Sequence, residues 1–328
     1  MGGPSSRVQS HVLATTGMTT KRSGERGAAG AVVAVILLLA LVVSPLILHF
    51  TQKRHDRLPF DVDEAFPAAT KLIGGEAFAS AVAALMRHEL SGGTGWRPND
   101  FVLWGPTVTA DNNANRQLGI ILAVRNSVRV LRDHLTKVSS TEFDKNLMAA
   151  HTAFEHDPEK FWLPSAEHRF GGGVKALDRY LAGLAATPPT SKPLRGRNVE
   201  VIRLLQAWTD LLGDAHASLF KDHEADGSAV RFWRTDDYFY RAQGVTHVLH
   251  HLSRAVRREY TDVWKDRPTV TELLDEVAEA LGAAAMLKPV IVVDGSADGV
   301  FANHRRNLDG YVVEARQKIY TIREELEK

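Results

Sequence analysis

NVEVIRLLQAWTDLLGDAHASLFK, residues Asn198 to Lys221, is the stretch that decides the fold class of this chain. Its apolar residues recur every three or four positions, which places them on one face of an α-helix. That face carries Val201, Ile202, Leu205, Trp208, Leu212, Ala215 and Leu219. The pattern predicts an amphipathic helix that buries one side against other helices.

The same periodicity continues in both directions from this stretch. It predicts helices over Ala65–Leu90, Asn112–Lys137, Ser139–Phe154, Val174–Ala185, Thr235–Trp264, Pro268–Leu287 and His304–Lys328. Phe161–Gly173 is predicted to be a loop, and Val290–Val293 is predicted to be one isolated strand or an extended core segment. Strand patterns are otherwise nearly absent, so the predicted class is all-α.

The last predicted helix carries a coiled-coil-like seam. Its apolar residues are spaced four and three apart, at Leu308, Val312, Ala315, Ile319, Ile322 and Leu326. Three heptads are short for an independent coiled coil. We therefore expect this seam to pack on its own domain rather than on a second chain.

An uncharged apolar run, AAGAVVAVILLLALVVSPLILHF at residues 28–50, lies near the N-terminus. About 20 apolar residues suffice to span a bilayer as a helix, so this run predicts a transmembrane helix. A cleaved signal peptide is the alternative, but its apolar region is shorter and ends in a small-residue cleavage site. Residues 1–27, rich in Gly, Ser, Thr and Arg, are predicted to form a disordered cytoplasmic tail.

Orientation and domain organisation follow from this anchor. Three basic residues lie on each side of it, so the positive charges that flank the span barely favour either orientation. The first span of a membrane protein usually sets its topology. We expect residues 51–328 to form a helical soluble domain outside the cytoplasm, in a periplasm if the source is a Gram-negative bacterium. The proline-rich segment 186–196, ATPPTSKPLRG, is a possible internal boundary.

Composition excludes several functional classes. The 328-residue chain has a formal net charge of +1, which gives no general attraction for nucleic acid. It contains no cysteine, which excludes disulfides, thiolate catalysis and cysteine zinc sites. We also find no HExxH, P-loop or G-x-S-x-G motif. The sequence therefore predicts no cofactor, metal or catalytic residue.

The densest candidate binding site is a stripe of five basic residues on the helix after Thr235. This His/Arg stripe comprises His247, His250, His251, Arg254 and Arg258. It lies opposite the apolar side of its helix, and no acidic residue lies within it. We expect a solvated face whose histidines titrate near 6.5; an anion- or partner-binding stripe and a metal site are the alternatives.

Three other patterns have a structural and a functional interpretation. Asp294-x-Ser296-x-Asp298-Gly299 and Asp222-x-Glu224-x-Asp226-Gly227 match the first half of a calcium loop, but Arg305 and Trp233 replace the bidentate Glu at position twelve. Ordinary turns are expected at both. Arg125 and Asn115 lie on or beside an apolar stripe, so we expect a carboxylate partner for a buried Arg125.

Three short motifs lie at 95–100 (GWRPND), 111–119 (DNNANRQLG) and 301–304 (FANH). Together with the single N-terminal span, they resemble the bacterial domain-of-unknown-function family 2333. The resemblance implies a bacterial inner-membrane protein. It brings no assigned activity, substrate or functional residue.

The sequence leaves three functional classes open. The first is a membrane-anchored helical interaction or scaffold protein, whose partners are the lipid bilayer and other envelope proteins. The second is an envelope enzyme with a single catalytic carboxylate, such as Glu76 or Glu89, and the third is a ligand-binding sensor. A deep cleft around one desolvated Glu favours the enzyme, whereas an exposed apolar patch favours the scaffold. The oligomeric state stays open.

Overall fold

The computed structural model describes residues 19–52, 58–68, 71–100, 111–136, 143–296 and 299–328. These residues form ten α-helices, and they contain no β-strand beyond two isolated bridges, so the predicted all-α class is confirmed. The helices are α1 (Thr19–Gln52), α2 (Val62–Ala65), α3 (Glu76–Ser91), α4 (Asn112–Val130), α5 (Lys145–Phe154), α6 (Ala166–Ala185), α7 (Asn198–Leu219), α8 (Phe232–Glu259), α9 (Pro268–Ala285) and α10 (His304–Glu327). A π-helical turn, Leu131–Leu135, extends α4.

The chain divides into two compact units, residues 1–47 and residues 48–328. The first contains most of α1, a helix of 34 residues whose large apolar side chains from Val32 to Val43, together with Ile47, are exposed. Within the described part of the chain, no helix combines the length and apolar character needed to cross a membrane. The predicted disordered tail is wrong for residues 19–27, which are helical; residues 1–18 lie outside the described residues.

The second unit is built around α8, which packs against α2, α3, α4, α7, α9 and α10. Helices α7, α8, α9 and α10 run antiparallel in turn. Helices α8 and α9, for example, meet at Gln243 with Leu287 and at Arg257 with Asp275. Helix α4 instead runs parallel to α8. Two contacts show this: Asn115 lies beside Asp237, and Gly119, further along α4, lies beside Arg241, further along α8. Helix α3 packs on α8, α5 packs on α4, and α6 packs on α3 and α5.

Two glycines allow α4 and α8 to approach closely. A Cβ atom on Gly244 would lie 1.9 Å from the carbonyl oxygen of Arg116, and a Cβ atom on Gly119 would lie 2.0 Å from that of Arg241. Real Cβ atoms do not come this near to a backbone oxygen. The two helices are therefore in backbone contact, which only glycine permits at these positions.

The C-terminal seam packs on its own domain, as predicted. Helix α10 lies against α7 and α9, and all six seam residues are buried. Val290–Val293, predicted as one isolated strand or an extended core segment, forms no strand: Val290 and Ile291 are exposed, and Val292 is buried in an irregular connection.

Several predicted helix boundaries are corrected by the structure. Helix α3 begins at Glu76 rather than near Ala65, because Gly75 adopts a φ of 96° that a helix cannot continue. Helix α6 begins at Ala166, inside the predicted loop. Its glycines are helical, and Gly173 packs under Phe154, where a Cβ would lie 2.6 Å from the ring. Helix α8 begins at Phe232, so Thr235 and Asp236 lie within it and do not cap it.

The connection between α6 and α7, which includes the predicted boundary segment 186–196, is held against neighbouring elements. The Leu194 amide donates to the Gly74 carbonyl at 2.8 Å, and the Arg195 amide donates to the Leu135 carbonyl at 2.9 Å. The Tyr180 hydroxyl donates to the Lys192 carbonyl at 2.8 Å. These bonds attach the connection to the segment before α3, to the π-helical turn after α4 and to α6.

Substitution of Gly244 by Ala tests the contact between α4 and α8. The added methyl group would force the two backbones apart, and we expect a loss of about 1–3 kcal/mol in the free energy of unfolding of the full-length protein. Gly310 provides the matched control, because it is also helical and a Cβ there meets nothing within 4 Å. Gly310→Ala should be neutral or stabilising by up to about 1 kcal/mol, reflecting helix propensity. Equal urea midpoints for the two variants would contradict a close helix contact.

Candidate functional site

The His/Arg stripe on α8 is not the solvated face that its spacing predicts. His247 and His251 are each only 8% exposed. Their rings are 5.0 Å apart between centroids, and the His250 ring lies 4.9 Å from that of His251. The prediction is wrong because α8 is covered on more than one side, so its polar face also meets neighbouring helices.

These histidines are held in their neutral form. Burial lowers the pKa of His251 to about 3, and burial with the nearby His251 and Arg116 charges lowers the pKa of His247 well below its ordinary value. Burial also lowers the pKa of His250, although its Nδ1 donates to the Ala278 carbonyl at 2.7 Å. His247 Nε2 and His251 Nδ1 are buried, and neither has a hydrogen-bond partner among the residues that the structure describes. Protonating either ring would place an uncompensated charge in the interior.

The arginines of the stripe bind acidic residues from the start of the domain. Arg254 forms ion pairs with Asp61 and Asp63, and Arg258 Nε donates to Asp63 at 2.7 Å. Burial alone would raise the pKa of Asp61, but the Asp63 amide and the Arg254 guanidinium lower it overall. These contacts attach α2 to the C-terminal half of α8. They were not predictable from the stripe, because the carboxylates are some 190 positions away in sequence.

A cleft of about 520 Å³ lies beside these ion pairs, between α8 and α9. Its lining comprises Asp63, His250, Arg254, Arg257, Arg258, Asp275, Ala278 and Glu279. Three arginines thus face three carboxylates, and Arg257 lies 3.5 Å from Asp275. The cleft is therefore close to charge balance and does not provide a simple anion site.

A second cleft, of about 360 Å³, lies where α4 and α8 begin. It is lined by Asp111, Glu224, Asp226, Ser228, Arg231, Trp233, Arg234 and Asp237. Burial and the neighbouring Asp237 and Asp236 carboxylates raise the pKa of Asp111 to about 7, and burial raises that of Asp236 to about 6. Asn115 donates to Asp237 at 2.7 Å.

Sequence reasoning missed this acidic group, which we call the Asp111 cluster: Asp111, Asp236 and Asp237. Asp111 precedes α4 and Asp236 lies in the first turns of α8, and neither caps its helix through its side chain. The one available signal was the Asp236–Asp237 pair within an amphipathic helix. Its proximity to Asp111 depends on the parallel packing of α4 and α8, which no local pattern reports.

The calcium-like sequences have other contacts. In the pattern at 222–227, Glu224 pairs with Lys221 at 2.6 Å, and Asp226 accepts from the Ser228 amide in a turn where Gly227 has a φ of 80°. In the pattern at 294–299, Asp294 pairs with the buried Arg305, whereas Asp298 lies outside the described residues. Among the described residues, no group of three His, Asp or Glu side chains is arranged to hold a metal ion.

The two candidate catalytic carboxylates do not stand in a deep cleft. Glu89 is 3% exposed, but Arg116 Nη2 lies 2.8 and 3.0 Å from its two oxygens, and Gln117 donates to it at 3.0 Å. The adjoining cavity is about 10 Å³, room for a single water. Glu76 accepts the Ile73 amide at the start of α3.

The expected carboxylate partner of Arg125 is also absent from the contacts that the structure describes. Arg125 donates instead to the carbonyl oxygens of Phe154 and His156. The end of a helix leaves carbonyl groups without intrahelical donors, so the end of α5 offers a guanidinium these acceptors.

Large apolar side chains are exposed at three places in the domain. They are Phe161, Trp162 and Leu163 before α6; Phe232 and Trp233 at the start of α8; and Val290, Ile291, Val300 and Phe301 between α9 and α10. Arg305 donates to the Lys221 carbonyl, and Lys221 donates to the Tyr238 hydroxyl, so the connection after α9 lies beside the start of α8. Trp96 donates to the Pro158 carbonyl and the Arg97 amide donates to Gln117, so the connection before α6 lies beside the first half of α4, which starts next to the start of α8. We call this end of the domain, away from α2, the apolar pole.

The model of one protein family matches residues 20–219 and 194–328, which together cover nearly the whole chain. The family is described as an uncharacterized protein conserved in bacteria, DUF2333. The chain belongs to this family. The predicted resemblance is thus confirmed, and DUF2333 brings no assigned activity. No curated protein and no solved structure matches the chain.

The buried histidines of this DUF2333 protein predict a specific loss of stability in acid. Their pKa is lowered in the folded state, so their contribution is present above about pH 6.5 and is lost as pH falls toward their folded pKa. Between pH 7.5 and pH 5.0 His251, whose pKa is lowered to about 3, should cost about 2 kcal/mol of unfolding free energy. The buried carboxyl groups with raised pKa values, including Asp111 and Asp236, act in the opposite direction over this range.

Comparison of variants isolates the histidine contribution. His251→Gln should show a smaller loss on acidification than the unmodified protein, by about 2 kcal/mol, in urea unfolding of the full-length chain. The exposed His168 supplies the control, and His168→Gln should keep the original pH dependence. An identical pH dependence for all three proteins would show that His251 is not buried in its neutral form.

Proposed function

We propose that this protein is a membrane-anchored helical interaction protein of the bacterial envelope, and that its partners bind at the apolar pole. The observation that carries this proposal is the exposure of aromatic and aliphatic side chains on two connections and at the start of α8, which together form the apolar pole. Trp162 is 72% exposed and Phe301 is 73% exposed. Exposed apolar groups of this kind are typical of protein interaction sites, in which Trp contributes strongly to binding.

The anchoring part of the proposal rests on the sequence of residues 28–48, which contains no charged residue. A helix satisfies every backbone hydrogen bond internally, as a bilayer requires. We infer that this run lies in the inner membrane and that the region after Phe50 lies outside the cytoplasm. The partners would then be the lipid bilayer and other envelope proteins.

The clefts support the interaction function more than a ligand-binding sensor. Both larger clefts are lined mainly by charged side chains, whereas a sensor for an apolar ligand needs a closed apolar pocket. Glu89, the most buried of the candidate catalytic carboxylates, is neutralised by Arg116 beside a cavity too small for a substrate.

An envelope enzyme is the second candidate, and one observation favours it. The carboxyl group of Asp111 has its pKa raised to about 7 beside Asp237, in an open cleft. A carboxyl group that titrates near neutral pH is suited to proton transfer. Loss of a cellular phenotype in Asp111→Asn, with unchanged partner complexes, would favour this enzyme over the interaction protein.

Reporter fusions test the anchor and its orientation. Alkaline phosphatase fused after Lys328 should be active, because it folds only where disulfides form, and green fluorescent protein at the same position should be dark. Deletion of residues 28–48 should abolish phosphatase activity and release the chain from sedimented membranes. An inactive phosphatase fusion together with a bright green fluorescent protein fusion would place the domain in the cytoplasm.

The mass of the native complex tests binding at the apolar pole. Full-length protein extracted from its own membranes in mild detergent should have a mass above that of one chain, as measured by size exclusion with light scattering. The double variant Phe232→Ser, Trp233→Ser should shift toward the single chain, because it removes exposed apolar anchors from the pole.

Val313 and Tyr320 provide a matched control for this measurement. They are 42% and 39% exposed, but they lie along α10 rather than at the pole. Their double substitution by Ser should leave the complex intact. A single-chain mass for the unmodified protein would contradict the proposed function, and a complex that is a multiple of the chain mass would identify self-association.

A further inference from the structure

The connection between α5 and α6, residues 155–165, presents three consecutive large apolar side chains to solvent. Phe161, Trp162 and Leu163 are 45%, 72% and 87% exposed, and the Phe161 and Trp162 rings contact each other edge to face at 5.2 Å. Burial of such side chains would be favourable by roughly 25 cal/mol per Å² of apolar surface. The fold leaves them in water instead.

The base of this connection is held by buried polar groups. Trp96 Nε1 donates to the Pro158 carbonyl at 2.8 Å, and Asn99 Nδ2 donates to the Lys160 carbonyl at 2.9 Å. Trp96 and Asn99 are 3% and 4% exposed. The Arg125 guanidinium binds the carbonyls of Phe154 and His156 at the start of the connection.

The end of the connection is held as well. The Ala166 amide donates to the Lys160 carbonyl at 3.0 Å, which closes the loop that carries the three apolar residues. His156 Nε2 lies 2.9 Å from the Pro164 carbonyl. The apolar tip is therefore displayed by a backbone that is fixed on both sides, so little conformational entropy would be lost when a partner covers it.

Charge around the tip discriminates between a bilayer and a protein as the occupant. Glu155, Asp157 and Glu159 are exposed just before the tip, and the half-buried Glu167, which accepts from Asn99, follows it. Lys160 and Arg169 are cations in the same interval, and the Arg125 guanidinium lies at its start. An excess of carboxylates is repelled by anionic lipid headgroups. The same excess complements a protein surface that carries Lys and Arg around an apolar pocket.

We propose that Phe161, Trp162 and Leu163 insert into an apolar pocket of a partner protein whose rim is basic. This inference rests on the proposed function, and it names one loop of the apolar pole and the chemistry of the surface that receives it. The exposed Glu155, Asp157 and Glu159 would contact the basic rim, while the three apolar side chains fill the pocket.

Site-specific photocrosslinking in living cells tests this assignment. Benzoylphenylalanine replaces Trp162 in the full-length chain, and Val313 carries the same probe as a control of known exposure on α10. The Trp162 probe should form a protein adduct of discrete mass that the Val313 probe does not form. Peptide mapping should place the crosslink on an apolar segment flanked by Lys or Arg in the partner.

Charge reversal adds a requirement that nonspecific capture would not meet. In the Trp162 probe background, Glu155→Lys, Asp157→Lys and Glu159→Lys together should lower the adduct yield about tenfold or more, because like charges then face each other. Neutral Glu155→Gln, Asp157→Asn and Glu159→Gln should lower it less. The thermal midpoint of each protein confirms that these exposed substitutions leave the fold intact.

Several outcomes would overturn the proposal. They are a lipid adduct, an adduct of twice the chain mass, a yield no higher than that of Val313, or a yield unaffected by charge reversal. The native complex separates this failure from failure of the proposed function. If the complex persists while the Trp162 probe forms no protein adduct, partners bind elsewhere; if no complex exists, the interaction function itself is wrong.

Discussion

The backbone contact between α4 and α8 is the constraint on which the rest of the domain depends. Gly119 and Gly244 remove the side chains that would otherwise separate the two helices. Because the helices are parallel, this contact brings Asn115 to Asp237 and sets Arg116 where Glu89 can neutralise it. The buried histidines of α8 and the Asp111 cluster both take their surroundings from this one close approach.

Helical periodicity predicted α7, α9 and α10 well, because each has one apolar face that meets the core. It failed where a helix is covered on several sides or where glycine is helical. The polar face of α8 looked solvated, yet His247 and His251 are buried there; the glycines at the start of α6 looked like a loop. The partners of Arg254 were not predictable, since only tertiary packing brings Asp63 to it.

The buried and half-buried ionic groups of this domain mostly form ion pairs with other residues of the same domain. Arg116 binds Glu89, Arg254 and Arg258 bind Asp63, and Arg305 binds Asp294. A buried charge is costly unless it is paired, so these residues serve the fold first. Among the described residues of this domain, the most exposed large apolar side chains lie on connections between helices. This division explains why motifs based on charged residues did not lead to a function, although exposed Trp162 does suggest one.

The ion pairs between α2 and α8 also determine how the domain responds to tension. A pull on the chain from its N-terminal side reaches Asp61 and Asp63 before it reaches α3, and both residues are fastened to Arg254 and Arg258. The force is thus transmitted to α8, the longest helix of the domain, which packs against other helices on several sides. The start of α3 is then protected from being pulled away from the domain. These contacts are partly exposed, so raised ionic strength would weaken the fastening. The segment around α2 would therefore bear an applied force first, and the force needed to detach it from α8 would fall as ionic strength rises.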